Sequence, residues 1–492
     1  MSSQNRVIIV SNRLPVTLER TCNGLNVQPS AGGLVAALLP IFKDTGGTWI
    51  GWPGTDYDPY LEETLRRECA PQYSLEPVFI TESERLQYYD GFCNAVIWPL
   101  FHDLQCRCNF DPGYWSAYCD VNDKFADAVV RCAQKDDLIW VHDFHLMLVA
   151  DCLRARGVRA KIAYFHHVPF PSPDIFEKLP WKTEILRALL QFSQLGFQTD
   201  HDRRNFVSCL RKFLTDVHIR RIGRKFLVRA GTMVAQVGTF PISVDFQALA
   251  EHSGTEEVAS RAAEIRESFA GRQLILGIDR LDYTKGIQER LRSFRRLLDS
   301  ESTLCGRINF LQLTIPSRQN IPEYREYKTT IERLVSEINA RYGTPGWCPI
   351  TYLHRSVSAL ELLALYRAAD VTLITPLKDG MNLVAKEFCA ARNDEQGVLV
   401  LSKFAGSAAE LRQGALLVNP YDFEGVAKAI SKGLKMSVSE QRIRIRAMRA
   451  VIERNDVYKW CNSVCGQLGL RRRPQPTPSL WLPESVAAAQ AV

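Results

Sequence analysis

Arg280 and Lys285 stand five positions apart in LILGIDRLDYTKG, directly after a short apolar run, with Gly286 next. A diphosphate needs positive charge near both phosphates, and this spacing can supply it. One such contact at about 4 Å is worth roughly 4 kcal/mol at an effective dielectric near 20, before desolvation is subtracted. A solvated surface pair has the same spacing; the place after an apolar run favours the ligand. A second stretch, VTLITPLKDGMNLVAKEFCAA at 371–391, has the order strand, tight turn, helix. Val371 to Thr375 is β-branched and apolar, Pro376 closes it, and Asp379-Gly380 is a turn signal. Helical composition starts at Asn382. A helix start carries about half a positive charge and unpaired N–H donors, so it draws phosphate. Asp379 has oxygens to accept from a sugar hydroxyl, and Glu387, further into the helix, has the reach for a ribose. The pattern also fits a plain helix cap over a buried strand, and this stretch alone does not separate the two.

Polar residues recur at the same place after other apolar runs. They are Arg13 after RVIIVS, the Gly32-Gly33 turn, Asp143 after IWVH, His167 after IAYFH, Asp282, and Arg318 after LQLTIPS. In open parallel sheets ligands bind beyond the carboxyl ends of the strands, so these residues are expected to line one cleft. Several other chemistries are set aside. Gly32-Gly33 lacks the GxGxxG spacing of a dinucleotide fingerprint. His166 and His167 are adjacent on a strand, point to opposite faces and cannot chelate one ion. His142, Asp143 and His145 carry no HExxH pattern, and no metal site is expected. No GxSxG elbow and no cysteine with a nucleophile signature is present, which argues against covalent acyl transfer.

The elements that must position these residues alternate. Strands are expected at Arg6–Ser11, Thr48–Trp52, near Val78, Ala95–Trp98, Leu138–His142, Lys161–His166 and Val234–Gly238. Helices are expected at Leu34–Phe42, at Asn122–Gln134 with Asn122 as the N-cap, and at Leu146–Arg156. A second series has strands at Gln273–Gly277, Ile308–Thr314, Ile350–Leu353, Val371–Thr375 and Val398–Leu401, with its longest helix at Tyr324–Tyr342. Alternation of this kind predicts α/β architecture: two doubly wound parallel sheets, each covered on both faces, flanking a cleft. The expected boundaries are 1–240, 241–455, a returning C-terminal helix at 456–470, and a Pro-rich mobile tail at 471–492.

Size and composition agree. A chain of 492 residues is too long for a single core. Hydrophobic residues at 46% and charged residues at 23% describe an ordinary globular protein. The net charge of +7 is mild and spread out, which argues against a nucleic-acid surface and suits small anionic substrates. No apolar run approaches the ~18–20 residues of a membrane span. The fourteen cysteines are scattered without a zinc-like CxxC pair, and the N-terminus has no signal-peptide core. Reduced thiols in a cytoplasmic protein are therefore expected.

Taken together, SNRLPV at 11–16, PSAGGL at 29–34, YYDGFCNAVIWPLFH at 88–102, WVHDFHL at 140–146, FHHVPFP at 165–171, DRLDYTKG at 279–286 and LKDGMNLVAKE at 377–387 resemble the trehalose-6-phosphate synthases. These are retaining glycosyltransferases of family 20 with the GT-B fold, and the motifs match in order from about residue 6 to residue 465. The resemblance implies two Rossmann-like domains taking UDP-glucose mainly on the second and glucose 6-phosphate mainly on the first. It implies that Arg280 and Lys285 hold the diphosphate, and that Glu387 holds the ribose. Leu383 and Val384, within the segment Gly380, Met381, Asn382, would offer backbone donors. Asp379 would orient the donor glucose, with Gly33 and His167 closing over it. Arg13, Trp52, Tyr89, Trp98, Asp143 and Arg318 fall on acceptor positions. The implied catalytic group is Asp143, His167, Arg280, Lys285 and Asp379, with front-face substitution, no protein nucleophile, no cofactor and no metal. Ser243 departs from a glycine common in the family. Glucosylglycerol-phosphate synthases share much of the pattern; Arg13 and Arg318 favour a glucose 6-phosphate site over theirs. Donors with another base, and a non-catalytic sugar-phosphate sensor, are the remaining alternatives. No phosphatase-like DxDx[TV] motif follows, so a separate phosphatase is expected, and a homo-oligomer is compatible with the sequence.

Overall fold

Short β-branched and apolar runs become the strands of two sheets in the computed structural model, which describes residues 6–21, 24–29, 35, 38, 47–55, 57–68, 74–318 and 321–467. The chain divides into two units. The first runs to Pro241 and resumes at Trp460; the second runs from Ile242 to Lys459.

In chain order the first unit contributes β1 (Val7–Arg13), β2 (Val16–Thr21), β3 (Gly24–Pro29), β4 (Gly47–Trp52), β5 (Ser74–Pro77), β6 (Leu138–His142), β7 (Ile162–His166), β8 (Gln194–Phe197), β9 (Val217–Ile222), β10 (Lys225–Ala230) and β11 (Met233–Thr239). Nine of them form one sheet in the order β5-β4-β1-β6-β7-β8-β11-β10-β9. The pairs from β5 through β11 are parallel; β10 and β9 add an antiparallel hairpin at the edge. β2 and β3 pair as a separate antiparallel hairpin. Strand order reverses direction between β1 and β6, the topological switch point where ligands gather in such sheets. Residues from Trp460 return to this unit: the Trp460 ring lies 5.3 Å from Trp140 on β6 and 5.1 Å from Phe165 on β7.

The second unit contributes β12 (Gln273–Arg280), β13 (Ile308–Ile315), β14 (Ile350–His354), β15 (Val371–Ile374), β16 (Val398–Ser402) and β17 (Leu416–Val418). Every pair in it is parallel, in the order β14-β13-β12-β15-β16-β17, with the switch point between β12 and β15. β12, β13, β15 and β16 are buried almost throughout, which is why they read as continuous apolar runs. Among the described residues no helix is long and apolar enough to cross a membrane.

Four expectations are corrected. Ala95–Trp98 is no strand: it closes a π-helix at Arg85–Ile97 and enters the helix Trp98–Phe101. Tyr88, Phe92 and Val96 recur at a helical spacing of four and are fully buried, and this packing overrides the β-propensity of Val96 and Ile97. Asn122 is no N-cap. The helix Pro112–Cys132 begins ten residues earlier and is capped by Asp111, whose side chain accepts from Gly113 N with Pro112 following. The helix expected at Leu146–Arg156 starts at Val149, after a 3₁₀ turn at Phe144–Leu146. Finally, the first sheet is not wholly parallel, because β9, β10 and β11 follow one another through short turns and pair antiparallel at its edge. The expected Gly32-Gly33 turn and most of the Leu34–Phe42 helix lie outside the described residues.

Trp460 is 3% exposed and seals the faces of β6 and β7. Trp460→Ala is expected to destabilise the protein by about 3–5 kcal/mol. Thermal unfolding of the variant should show a clearly lowered midpoint; an unchanged midpoint would remove this helix from the core.

Candidate active site

In the first unit the candidate residues are built at the β1–β6 switch point. Arg13 ends β1, and its guanidinium carbon stands 4.5 Å from the centroid of the Trp52 ring, at the end of β4. Tyr89 meets the same indole edge-on at 5.9 Å and stacks on His145 at 6.0 Å. Gly54 has φ +94°, and a Cβ there would come within 2.2 Å of Arg13 Nη1, so only glycine leaves room for the guanidinium. An arginine laid on an indole keeps its charge and its fork of donors, the equipment for a phosphate.

Asp143 follows β6 with φ 72°, a conformation that residues other than glycine seldom adopt. The segment behind it is strapped down. Tyr118 Oη donates to Phe144 O (2.7 Å), Asn122 Nδ2 donates to His145 O (3.1 Å), and Asn122 Oδ1 accepts from Leu148 N (3.1 Å). Tyr88 Oη donates to Asn12 Oδ1 (2.9 Å) and lies 3.3 Å from His145 O. Asp143 Oδ1 in turn accepts from the main-chain N–H of His167 at 3.1 Å. Trp98 is buried against His102 and Phe144, which joins it to this segment.

In the second unit the candidate residues are built at the β12–β15 switch point. Arg280 ends β12, and Lys285 ends the 3₁₀ turn Tyr283–Lys285. Gly286 then starts the helix Ile287–Ser300 with φ +65°, and a Cβ on it would lie 2.3 Å from Thr375 O. Leu377 N donates to Thr284 O at 2.8 Å, so the two loops are laced together. Lys285 Nζ bonds Asp379 Oδ2 at 2.6 Å, and Asn382 Nδ2 donates to the same oxygen at 3.0 Å. Residues 379–381 are also hung on the neighbouring loop: Asp379 N donates to Phe404 O, Gly406 N to Asp379 O and Ser407 N to Met381 O. A Cβ on Gly406 would overlap Gly380 O, so the two loops touch through glycine backbones. Asn382, at φ 71°, caps the helix Leu383–Ala391 by accepting from Ala385 N. The N–H groups of Leu383 and Val384 then have no intrahelical carbonyl to meet.

Glu387 Oε2 accepts from Tyr366 Oη at 2.9 Å, and burial pushes its carboxyl up despite that bond. Arg318 belongs to this unit and not to that of Arg13. It has φ 47°, and its Nη1 donates to Asp282 Oδ2 and to Tyr324 Oη, each at 2.7 Å. Burial alone would raise the Asp282 carboxyl, but Arg318, Arg280 and Lys285 together hold it below the usual aspartate range. The structure thus gathers Arg280, Lys285, Asp379, Gly380, Met381, Asn382, Leu383, Val384 and Glu387 around one switch point, and Arg13, Trp52, Tyr89, Trp98, Asp143 and His167 around the other. Gly33 lies outside the described residues.

Arg290 escaped the sequence reading. It is wholly buried and its guanidinium donates to Thr375 Oγ1 (3.0 Å), Asp279 Oδ2 (2.7 Å), Gln312 Oε1 (3.1 Å) and Lys285 O (3.3 Å). A signal existed: Arg290 interrupts the apolar stripe Ile287, Leu291, Phe294, Leu298 of its helix. Among the described residues no group of three His, Cys, Asp or Glu side chains is placed to hold a metal ion.

Comparison with known proteins places this geometry. The model of glycosyltransferase family 20 matches residues 5–469. The trehalose-6-phosphate synthase of Mycobacterium avium (strain 104) is 40% identical over 469 residues, covering 93% of this chain and 94% of that protein. That of Mycobacterium marinum is 41% identical, covering 93% and 92%. Among solved structures, the UDP-forming α,α-trehalose-phosphate synthase of Burkholderia xenovorans in complex with glucose-6-phosphate superposes with a TM-score of 0.86 at 34% identity, covering 94% of this chain and all of that one. An E. coli structure bound with UDP-2-fluoro glucose gives 0.87 at 35%, covering 96% and 100%.

The Asp282–Arg318 pair yields a stability prediction. A carboxyl whose folded pKa is depressed contributes stability above its unfolded value, and that contribution is lost as pH falls through the folded one. Asp282→Asn leaves a buried arginine without its counter-charge and should cost about 3–5 kcal/mol at neutral pH. The gap in unfolding midpoint between protein and variant should persist down to the ordinary aspartate value of 3.8 and narrow only below it. A gap that closes well above that pH would mean the carboxyl is not held ionised.

Proposed function

The chain belongs to glycosyltransferase family 20, and from that membership we infer a UDP-forming trehalose-6-phosphate synthase. It transfers glucose from UDP-glucose to glucose 6-phosphate, with retention, giving α,α-trehalose 6-phosphate and UDP. The observation that carries this reading is the 40% identity to such synthases across 93% of the chain, joined to a diphosphate-ready switch point in the second unit.

Arg280, Lys285 and the N–H groups of Leu383 and Val384 take the diphosphate, and Glu387 takes the ribose. The Lys285 ammonium has three donors, so it can keep Asp379 while adding a phosphate oxygen. Asp379 accordingly has two tasks, aligning Lys285 and orienting the donor glucose, and Gly380, Met381 and Asn382 hold it in place. Arg13 on its Trp52 platform takes the acceptor phosphate, with Arg318 of the second unit assigned to the same acceptor. Tyr89, Trp98 and Asp143 border the acceptor sugar, and His167 meets the donor glucose. The acceptor hydroxyl attacks the face that the diphosphate leaves and passes its proton to a departing phosphate oxygen. The protein contributes position and charge, with no covalent intermediate.

No metal enters this scheme, because the two cations and the helix start neutralise the leaving group; chelator should leave turnover unchanged. The described cysteines are free thiols, which suits a reducing cytoplasm, where the charged substrates are retained. Removal of the product's phosphate falls to a separate phosphatase, and self-association of the chain is compatible with the scheme.

The direct test crosses UDP-, ADP- and GDP-glucose with glucose 6-phosphate and glycerol 3-phosphate, and assigns the product anomer by NMR. UDP release that depends on glucose 6-phosphate, with an α,α-linked product, is expected. Lys285→Ala should lower kcat about 10²–10³-fold, the scale of losing one charge-stabilising donor. Near-normal turnover in that variant would take Lys285 out of the diphosphate site.

A further inference from the structure

The first unit contains a buried histidine that the scheme above does not use. His142 is the last residue of β6 and is fully buried, with its ring 4.7 Å from that of Trp140. Its Nδ1 lies 3.1 Å from Nε2 of His167, on the loop after β7. His142 Nε2 is sealed from solvent and meets no hydrogen-bond partner among the described residues. Nδ1 of His167 has the Gln198 side-chain amide 3.5 Å away. The His167 main chain is fixed by Asp143. His167 is therefore held at its backbone and at one ring nitrogen, and only Nδ1 remains to face a ligand.

Burial drives both imidazoles to the neutral form: His142 well below the usual histidine range and His167 down to about 3. Each ring then carries one N–H, and a single hydrogen bridges the two. If it belonged to His167, His142 would carry its own hydrogen on Nε2, an N–H buried without an acceptor. Orphaned N–H groups of that kind are rarer in folded proteins than under-used acceptors. If it belongs to His142 Nδ1, the sealed Nε2 is a bare lone pair, His167 Nε2 accepts, and the hydrogen of His167 sits on Nδ1. Gln198 Nε2 is the atom placed nearest Nδ1; a half-turn of that amide brings its carbonyl oxygen there, to accept from the Nδ1–H when no ligand does.

We propose that His142 is a positioning residue that locks His167 in its Nδ1–H tautomer, so that the donor glucose meets a hydrogen-bond donor there rather than a lone pair. This deepens the reading of His167 given above and rests on it. The sugar hydroxyl then accepts from His167 and keeps its own hydrogen for another partner. A tautomer free to exchange would present a lone pair part of the time, turn that bond round and take up the hydroxyl's hydrogen.

The test reads the tautomer directly. Long-range ¹H–¹⁵N correlation on the full-length, ¹⁵N-histidine-labelled protein, with His167 assigned by the loss of its signals in His167→Gln, should show Nδ1 protonated and Nε2 bare. In His142→Phe, which keeps the ring but removes the donor, His167 should shift toward Nε2–H. In that variant kcat should fall about tenfold, the scale of one hydrogen bond, and KM for glucose 6-phosphate should stay put. His142→Asn places an amide N–H near the old Nδ1 position and should recover most of both. An Nε2–H tautomer in the unsubstituted protein overturns the proposal, even if His142→Phe does not fold. An unchanged tautomer and kcat in a folded His142→Phe overturns it as well. The tautomer is read without substrate, so failure here stays distinct from failure of the reaction assignment, which appears as absence of disaccharide phosphate with the unsubstituted protein.

Discussion

A wholly buried guanidinium holds the carboxyl end of the second sheet in shape. Arg290 ties Asp279 on β12, Gln312 on β13 and Thr375 just beyond β15 to one rigid fork, and the same fork reaches the carbonyl of Lys285. Burying such a charge carries a desolvation cost of several kcal/mol, which only full pairing offsets. The arrangement is therefore close to all-or-none: the strand ends are correctly spaced when Arg290 is satisfied, and Lys285 is then delivered to Asp379. Burial raises the Asp279 carboxyl, and Arg290 and Lys285 offset that only in part.

Backbone conformation tells the same story. Six described residues other than glycine have positive φ, and three of them, Asp143, Arg318 and Asn382, are residues singled out for the site. Each is held by several bonds from neighbouring elements: Asp143 with the strapped loop behind it, Arg318 by Asp282 and Tyr324, Asn382 by its cap and by Asp379. Strain persists only where the surroundings over-determine it, and it gathers where function needs a fixed geometry. The glycines at 54, 286 and 406 serve the same end differently, by letting a guanidinium or a second backbone come close.

The two units share one design. In each, β-strands reverse order around a switch point, and polar groups from the loops after the two central strands converge there. The second unit adds a helix start and paired cations for a diphosphate. The first adds an arginine on an indole, aromatic walls and a buried histidine pair, which suit a phosphorylated sugar and a neutral glucose.

Much of this was legible along the chain. Leu138–His142 was bounded correctly, and the strand-turn-helix at 371–391 appears as read, because a buried parallel strand is a continuous apolar run and a glycine turn with an Asn cap is local chemistry. The positions after strands pointed to Arg13, Asp143, His167, Arg280, Lys285 and Asp379 for the same reason: chain order alone puts them at the carboxyl end. What the chain order could not settle was whatever depends on a partner far away in sequence. Ala95–Trp98 became helix because Phe92 had Tyr118 to pack on, at 4.2 Å between rings. Asn122 moved from cap to strap because its partners are His145 and Leu148. Arg318 sits against Asp282, and His142 against His167, across separations that no local pattern encodes. Local propensity and periodicity fix which residues reach the end of a sheet. Only packing, which sets the distances among them, decides which charge or proton each one holds there.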